Sequence, residues 1–97
     1  MPPFGRLASI ILAGRDARQV EEAGRRLVRG RPDDPQIRIL GPAPATLARV
    51  KGIFRYRLLL SAPLKVRLQP AIRNWLRSVG SLSPVRVKID IDPYNFD

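Results

Sequence analysis

Residues 41–63 read GPAPATLARVKGIFRYRLLLSAP, and the second half of this stretch has the alternation of a β-strand. Side chains alternate between the two faces of a strand. One face carries Phe54, Tyr56, Leu58 and Leu60, and the other carries Ile53, Arg55, Arg57 and Leu59. The first set predicts a core face. The second places two guanidinium groups about 7 Å apart along the strand. We therefore build the fold around a strand with one apolar and one basic face.

The Gly-Pro-Ala-Pro run that opens the stretch excludes a helix, since each proline fixes φ and biases its predecessor toward extended geometry. We expect a proline-stiffened loop here, at the edge of the domain. A short strand over residues 36–40 would precede it, with Ile37 and Ile39 pointing inward and Arg38 outward.

Three further elements follow from periodicity. Residues 4–13 predict a central strand that is apolar on both faces, with Ala8, Ile10 and Leu12 on one of them. A helix is expected from an Asp16 N-cap to about residue 29, with exposed pairs between Glu21 and Arg25 and between Glu22 and Arg26. Residues 85–91 alternate strictly and predict the last strand, with the valines and isoleucines inward.

A second helix is expected over residues 63–78, because Leu68, Ile72, Trp75, Leu76 and Val79 recur at helical spacing. Pro70 lies inside that span and would cost about 3 kcal/mol in a regular helix interior. The sequence therefore predicts either a separate first turn over residues 63–67 or a kink near Val66.

The resulting order, β-α-β-β-α-β, predicts an α+β fold of the ferredoxin-like kind. Both helices would pack on one face of a four-stranded antiparallel sheet. Alternation then gathers five cations on the uncovered face: Arg38, Arg55, Arg57, Arg86 and Lys88. Lys51 and Arg49 would extend this basic track.

Composition limits the possible functions. Ninety-seven residues make one domain, and the chain has neither cysteine nor histidine. It therefore lacks thiolate metal sites and the commonest general base. No run approaches the ~20 apolar residues of a membrane span, so we expect an intracellular, cytoplasmic chain without a membrane partner. The pair Asp90 and Asp92 is interpreted as charge compensation, not as a metal site. These features argue against an enzyme, and no catalytic or metal-ligating residue is assigned.

The net charge is +10, and no acidic residue occurs between residues 35 and 89. A field of one sign over half a domain indicates a polyanionic partner, with nucleic acid favoured over an acidic protein segment. Salt bridges to Asp90 or Asp92 are the alternative explanation for Arg55 and Arg57.

Four segments together carry a resemblance to a known family. They are PPFGRLA at residues 2–8, ILGPAP at 39–44, RYRLLL at 55–60 and VKIDIDP at 87–93. In this order and spacing they resemble the carboxyl-terminal domain of the primosomal protein N′ (PriA) family. The members of this family are bacterial replication-restart helicases. The resemblance spans essentially the whole chain.

The resemblance implies a small fold like that of a ribosomal protein, which follows the second helicase lobe. It implies partners as well: single-stranded or branched DNA, the acidic tail of single-strand DNA-binding protein, and the rest of the helicase. The segment KVRLQ at residues 65–69 is similar to the part of the family that grips this tail. By resemblance, Lys65, Gln69 and Arg67 are assigned to the tail contact, while Pro70 departs from the family pattern.

The ATP and zinc sites of the family lie upstream, and the phosphate loop, helicase motifs and cysteine cluster do not occur here. We therefore expect an excised domain without cofactors, from a nucleoid-associated protein. The leading hypothesis is a non-catalytic domain that binds DNA through Arg38, Arg49, Lys51, Arg55, Arg57, Arg86 and Lys88. The alternatives are a pure interaction module for an acidic peptide and a ribosomal-protein-like RNA binder.

Overall fold

The computed structural model describes residues 5–91, apart from the side chains of Thr46 and Leu47. Its elements are β1 (Gly5–Gly14), α1 (Ala17–Arg29), β2 (Arg38–Val50), β3 (Ile53–Pro63), α2 (Leu68–Val79) and β4 (Arg86–Ile91). The strands form one antiparallel sheet in the order β2-β3-β1-β4. Neither helix is long and apolar enough to cross a membrane. The predicted ferredoxin-like α+β arrangement is confirmed.

The core lies between the two helices and one face of the sheet. The sheet contributes Ala8, Ile10, Leu12, Leu58, Leu60 and Ala62, all buried as β1 and β3 alternation predicts. The helices contribute Val20, Ala23, Leu27, Leu68, Ile72 and Trp75. Trp75 Nε1 donates a hydrogen bond of 2.9 Å to the carbonyl oxygen of Leu27, which joins α2 to α1 and satisfies the buried indole. Both helices therefore cover the same face.

β1 is central, as predicted, because it pairs with β3 on one side and β4 on the other. Ile10 lies opposite Leu58 and also opposite Ile89, which places Ile89 on the helix-covered side. Val87 and Ile89 nevertheless remain 37% and 40% exposed. They point to the predicted side, but β4 is an edge strand, and no other strand of residues 5–91 lies on its outer flank.

The prediction for β2 is wrong in length. The strand does not stop before the prolines but continues to Val50, with shifts of register between Leu40 and Ala43 and between Pro44 and Arg49. Proline is tolerated because β2 lies at the sheet edge, where a strand has unpaired backbone positions and bulges are accepted. The expected proline-stiffened loop is therefore a bulged edge strand.

The start of α2 confirms one of the two expected geometries. A separate turn closes first, with Val66 N donating to the Pro63 carbonyl at 3.0 Å, and the helix begins at Leu68. Pro70 then falls in the first helical turn, where the backbone N–H would have no acceptor within the helix. The proline therefore causes no kink.

In α1, Asp16 is the N-cap as predicted, since its carboxylate accepts from the backbone N–H groups of Arg18 and Gln19. The Glu21–Arg25 pair is confirmed at 3.0 Å. The prediction of a Glu22–Arg26 pair is wrong, because the Glu22 carboxylate binds Arg29 at 2.7 Å.

Candidate nucleic-acid interface

The sheet face opposite the helices is called here the open face, and it is defined by strand register. The odd-numbered residues of β1 and β3 lie on it, because the even-numbered ones form the core. In β1 these are Leu7, Ser9, Ile11 and Ala13, and in β3 they are Arg55, Arg57, Leu59 and Ser61. No residue of these eight is buried, so the face is accessible within the described part of the chain.

Four cations occupy neighbouring positions at one end of the open face. Arg57 and Lys88 lie opposite Ile11 on its two sides, and Arg55 and Arg86 lie opposite Ala13 in the same way. Because strands lie about 4.8 Å apart, each pair spans roughly 10 Å across the sheet, and the two pairs are about 7 Å apart along it. We call these four residues the basic patch.

The basic patch has no acidic partner within residues 5–91. Both ion pairs found there lie on α1, Arg25 with Glu21 and Arg29 with Glu22. Asp90 shares the open face but lies opposite Ser9 and forms no ion pair. Asp92, the other expected compensating carboxylate, lies outside the described residues. No acidic side chain of residues 5–91 therefore neutralises the four charges of the patch.

The open face also carries apolar side chains beside the patch. Ile11 separates Arg57 from Lys88, and Leu59 and Leu40 follow in the next row of the sheet. Leu40 is 66% exposed and Leu7 is 42% exposed. A strand of nucleic acid on this surface would meet the four cations at one end and apolar surface beyond them.

The other cations expected on the track are not in the patch. Arg38 is on the open face but lies opposite Ser61, four residues further along β3 than Arg57. Arg49 lies opposite Phe54, on the helix-covered side, and its guanidinium carbon is 5.4 Å from the centre of the Phe54 ring. The expectation that Arg49 extends the track on the open face therefore does not hold.

Lys51 does lie at the correct end of the sheet. With Gly52 it forms the two-residue turn between β2 and β3, and both residues have positive φ, 52° and 78°. This is the conformation of a type I′ hairpin, whose twist matches that of the strands it connects. The turn leads into Ile53, two residues before Arg55, so Lys51 extends the basic patch beyond the sheet.

The residues assigned to an acidic tail lie at the opposite end of the molecule. Lys65 is in the turn before α2, Arg67 is its N-cap and Gln69 is in its first helical turn, and all three are exposed. No side chain caps this helix terminus in the described part of the chain, and its first turn has no acidic residue. Its free N–H groups favour an anion.

Sequence reasoning did not find Arg6 and Arg15. Arg6 Nε donates to the Leu64 carbonyl at 3.1 Å, which brings a further cation to the turn before α2. Arg15 follows β1 and lines the same cavity as Arg55 and Arg86. Antiparallel pairing offered a signal for Arg15, since the end of β1 must lie beside the starts of β3 and β4.

Among the carboxyl groups of residues 5–91, that of Glu22 has a shifted pKa. The hydrogen bond from Arg29 and the charge of the same guanidinium lower the pKa of Glu22 from its ordinary value. Glu22 is exposed on α1, away from the basic patch.

Comparison with known proteins supplies the family. The sequence matches the family described as Primosomal protein N C-terminal domain over residues 1–94. The chain belongs to this family. It is similar to the Replication restart protein PriA of Rickettsia felis, with 40% identity over 99% of this chain and 15% of that protein. The Probable replication restart protein PriA of Deinococcus radiodurans is 33% identical over 95% of this chain and 10% of its own length.

The chain thus spans 15% or less of the length of these relatives. Its fold is also similar to that of the de novo designed protein Foldit4, with a TM-score of 0.57 and 10% sequence identity. That comparison covers 91% of this chain and 96% of the designed protein, and it concerns the fold alone.

Two of the four family segments lie wholly within the described residues, on β2 and β3. The segment at 55–60 carries Arg55 and Arg57 of the basic patch, and the segment at 39–44 contains the bulge of β2. Parts of the first and last segments, residues 2–4 and 92–93, lie outside the described residues. Within residues 5–91, no group of three or more acidic side chains could hold a metal ion.

Proposed function

We propose that this primosomal C-terminal domain is a non-catalytic module that binds single-stranded or forked DNA through the basic patch. The observation that carries the proposal is the group of four cations on adjacent positions of the open face. Within the described residues none of them is in an ion pair, so their charge is available to phosphates. Contacts of this kind supply affinity without sequence preference.

The domain would act as part of a longer replication restart protein in the bacterial cytoplasm, at the nucleoid. The relatives that carry this name are several times longer than the chain, so the rest of such a protein would be its permanent neighbour. Lys51 would extend the DNA path at the hairpin turn. Arg38 lies at the far end of the open face, so it would contact DNA only where the DNA strand crosses the whole sheet.

A second ligand is proposed at the start of α2, on Lys65, Arg67 and Gln69. The supporting observation is that, among residues 5–91, no side chain caps this helix N-terminus and its first turn has no acidic residue, while Arg6 donates to the adjacent turn. Such a site suits the carboxylates of an acidic peptide, such as the tail of single-strand DNA-binding protein. About six residues of β3, or roughly 20 Å, separate it from Arg57, so both ligands could be bound together.

The test of the DNA site is fluorescence anisotropy with labelled oligothymidylate at several salt concentrations. Four neutralised phosphates give a slope of log K against log salt of about −2.8, and the double variant Arg57→Gln, Lys88→Gln should halve it. A control variant with the same net charge is Arg73→Gln, Arg77→Gln, since both arginines are exposed on α2. Equal losses in the two double variants would refute the proposal.

The acidic-tail site is tested with a labelled acidic peptide and the variant Lys65→Ala. We expect the peptide to bind less tightly to this variant, while oligothymidylate binding stays unchanged. If Lys65→Ala abolished peptide binding and the Arg57, Lys88 variant left DNA affinity untouched, the domain would be a pure peptide-binding module.

A further inference from the structure

A cavity of about 510 Å³ lies where β1 ends and β4 begins. Three arginines from different parts of the chain line it: Arg15 from the turn after β1, Arg55 from β3 and Arg86 from β4. Two of them belong to the basic patch, so the cavity adjoins the open face. We call it the arginine pocket. Three guanidinium groups at one cavity repel one another unless an anion lies between them.

The carboxylate in the wall of the pocket does not neutralise them. Asp16 lines the cavity, but its Oδ1 accepts from the backbone N–H groups of Arg18 at 2.9 Å and of Gln19 at 3.4 Å. Asp16 forms no ion pair within the described part of the chain. The pocket therefore carries three positive charges and one negative charge.

Arg55 also has an unused hydrogen-bond donor. Its Nη1 is buried, and no atom of the described residues accepts a hydrogen bond from it. A buried donor without an acceptor is costly, and in native proteins such groups are rare unless a ligand, ion or water serves them. An acceptor in the arginine pocket would satisfy this group once the Arg55 side chain turned to expose it.

The first turn of α1 does not make this site, because the Asp16 side chain already occupies two of its backbone N–H groups. The donors are the guanidinium groups themselves. A planar guanidinium presents paired N–H groups whose spacing matches two oxygens of a phosphate or of a carboxylate, which favours an oxyanion over a halide. Phosphate is favoured because Arg55 and Arg86 also belong to the basic patch.

We propose that the arginine pocket binds one phosphate group of a DNA strand whose neighbouring phosphates lie on Arg57 and Lys88. This inference rests on the proposed DNA-binding function and deepens it by assigning a defined phosphate site and a new residue, Arg15. The phosphate could be an internal phosphodiester or the terminal phosphate of a strand end. Both present the same oxygens to the arginines, so the experiment must distinguish them.

The pocket itself is tested without DNA. Inorganic phosphate is titrated into the ¹⁵N-labelled chain while the arginine Nε resonances are followed by NMR. We expect the resonances of Arg15, Arg55 and Arg86 to shift together, and Arg15→Gln to abolish the shifts of the other two. Shifts spread equally over exposed arginines such as Arg73 would overturn the inference.

The DNA arm compares oligothymidylates that carry a 5′-phosphate or a 5′-hydroxyl. Arg15→Gln should lower affinity by about tenfold, as expected for a lost charge-assisted contact, and Arg73→Gln should not. The salt slope should become shallower by about 0.7. A loss restricted to the 5′-phosphorylated strand assigns a terminal phosphate, and an equal loss for both strands assigns an internal one.

The two proposals can fail separately. If Arg57→Gln weakened DNA binding while Arg15→Gln did not, the pocket would be wrong and the proposed function would stand. If the chain bound no DNA, the proposed function and the assignment of the pocket to DNA would both be wrong, and the phosphate titration would decide only whether the pocket binds an anion. If an acidic peptide moved the three arginine signals and DNA did not, the assignment to nucleic acid would be overturned. Arg15 is exposed in a turn, so we expect Arg15→Gln to fold normally. An unchanged urea midpoint of unfolding would show this.

Discussion

At the scale of single residues, Glu22 shows how a tertiary contact changes a helical pairing. Arg26, the partner expected from i,i+4 spacing, donates instead to the carbonyl oxygens of Val79, the last residue of α2, and of Ser81 in the loop that follows. Glu22 then binds Arg29, seven residues along and close to two helical turns away. We expect Arg29→Gln to raise the pKa of Glu22 toward its ordinary value, because the hydrogen bond and the charge of Arg29 are the main causes of its lowering.

The pH dependence follows from the direction of this shift. A carboxyl group whose pKa is lower in the folded state stabilises the fold above its unfolded pKa, and this contribution disappears as pH falls through the folded pKa. NMR titration of the Glu22 side chain in the wild type and in Arg29→Gln measures the effect. Arg31→Gln is the control, since Arg31 lies beyond the helix end and is not among the causes of the shift. An unchanged Glu22 pKa in Arg29→Gln would contradict the assignment.

Among the residues that the structure describes, Lys51 is the one non-glycine residue with positive φ. This conformation is unfavourable for a lysine. Asparagine occupies the left-handed region at lower cost and is favoured before glycine in type I′ turns. Lys51→Asn should therefore raise the free energy of unfolding by about 0.5–1 kcal/mol, measured by urea denaturation. Lys65→Asn makes the same chemical change at a residue without positive φ, and a similar gain there would refute the conformational explanation.

At the scale of elements, β3 could be predicted from sequence and β2 could not. The faces of β3 follow from strict alternation, and burial of Leu58 and Leu60 confirms them. The path of β2 depends on where its bulges fall, since each shift of register breaks the period of two. For the same reason the side of the sheet on which Arg49 lies could not be predicted from its position in the chain.

α1 packs closely against β2 at the bulge of the strand. A Cβ added at Gly24 would lie 2.7 Å from the Cβ and 3.0 Å from the Cγ of Pro42. Alanine is a better helix former than glycine by about 1 kcal/mol, so propensity alone predicts that Gly24→Ala stabilises α1. We expect the opposite, a destabilisation of about 1–3 kcal/mol, because the proline ring cannot move away as a flexible side chain would.

A double-mutant cycle with Pro42→Gly isolates this contact from the other effects of each change. Since Pro42→Gly removes both ring atoms that the new methyl group would meet, it should recover much of the loss caused by Gly24→Ala. Urea denaturation of the four proteins measures the coupling energy. Additive effects would show that the destabilisation arises elsewhere.

At the scale of the whole molecule, the candidate site depends on topology more than on local sequence. Alternation was sufficient to place the basic patch on the open face. The arginine pocket needed the sheet order as well, because its three arginines are contributed by β3, β4 and the turn after β1. Arg15 belongs to no periodic pattern, so its role emerges only when the end of β1 is placed beside the starts of the other two strands.

The charge proposed to bind DNA should also reduce the stability of the free domain. The net charge is +10, and the basic patch concentrates part of it on one surface without ion pairs in the described residues. Salt shortens the screening length from about 30 Å at 0.01 M to about 10 Å at 0.1 M. We therefore expect the free energy of unfolding to rise with sodium chloride over this range, while DNA affinity falls.

The same reasoning predicts that Arg57→Gln with Lys88→Gln stabilises the free domain at low salt by a few tenths of a kcal/mol, since exposed charges interact weakly. The gain should vanish at high salt, where wild type and variant should unfold at the same urea concentration. Arg25→Gln is the contrasting control, because it breaks the pair with Glu21 and should stabilise at neither salt concentration. A loss of stability in the double variant at low salt would mean that Arg57 and Lys88 stabilise the free fold. The presence of cations on the open face would then be explained by stability, without an external polyanion.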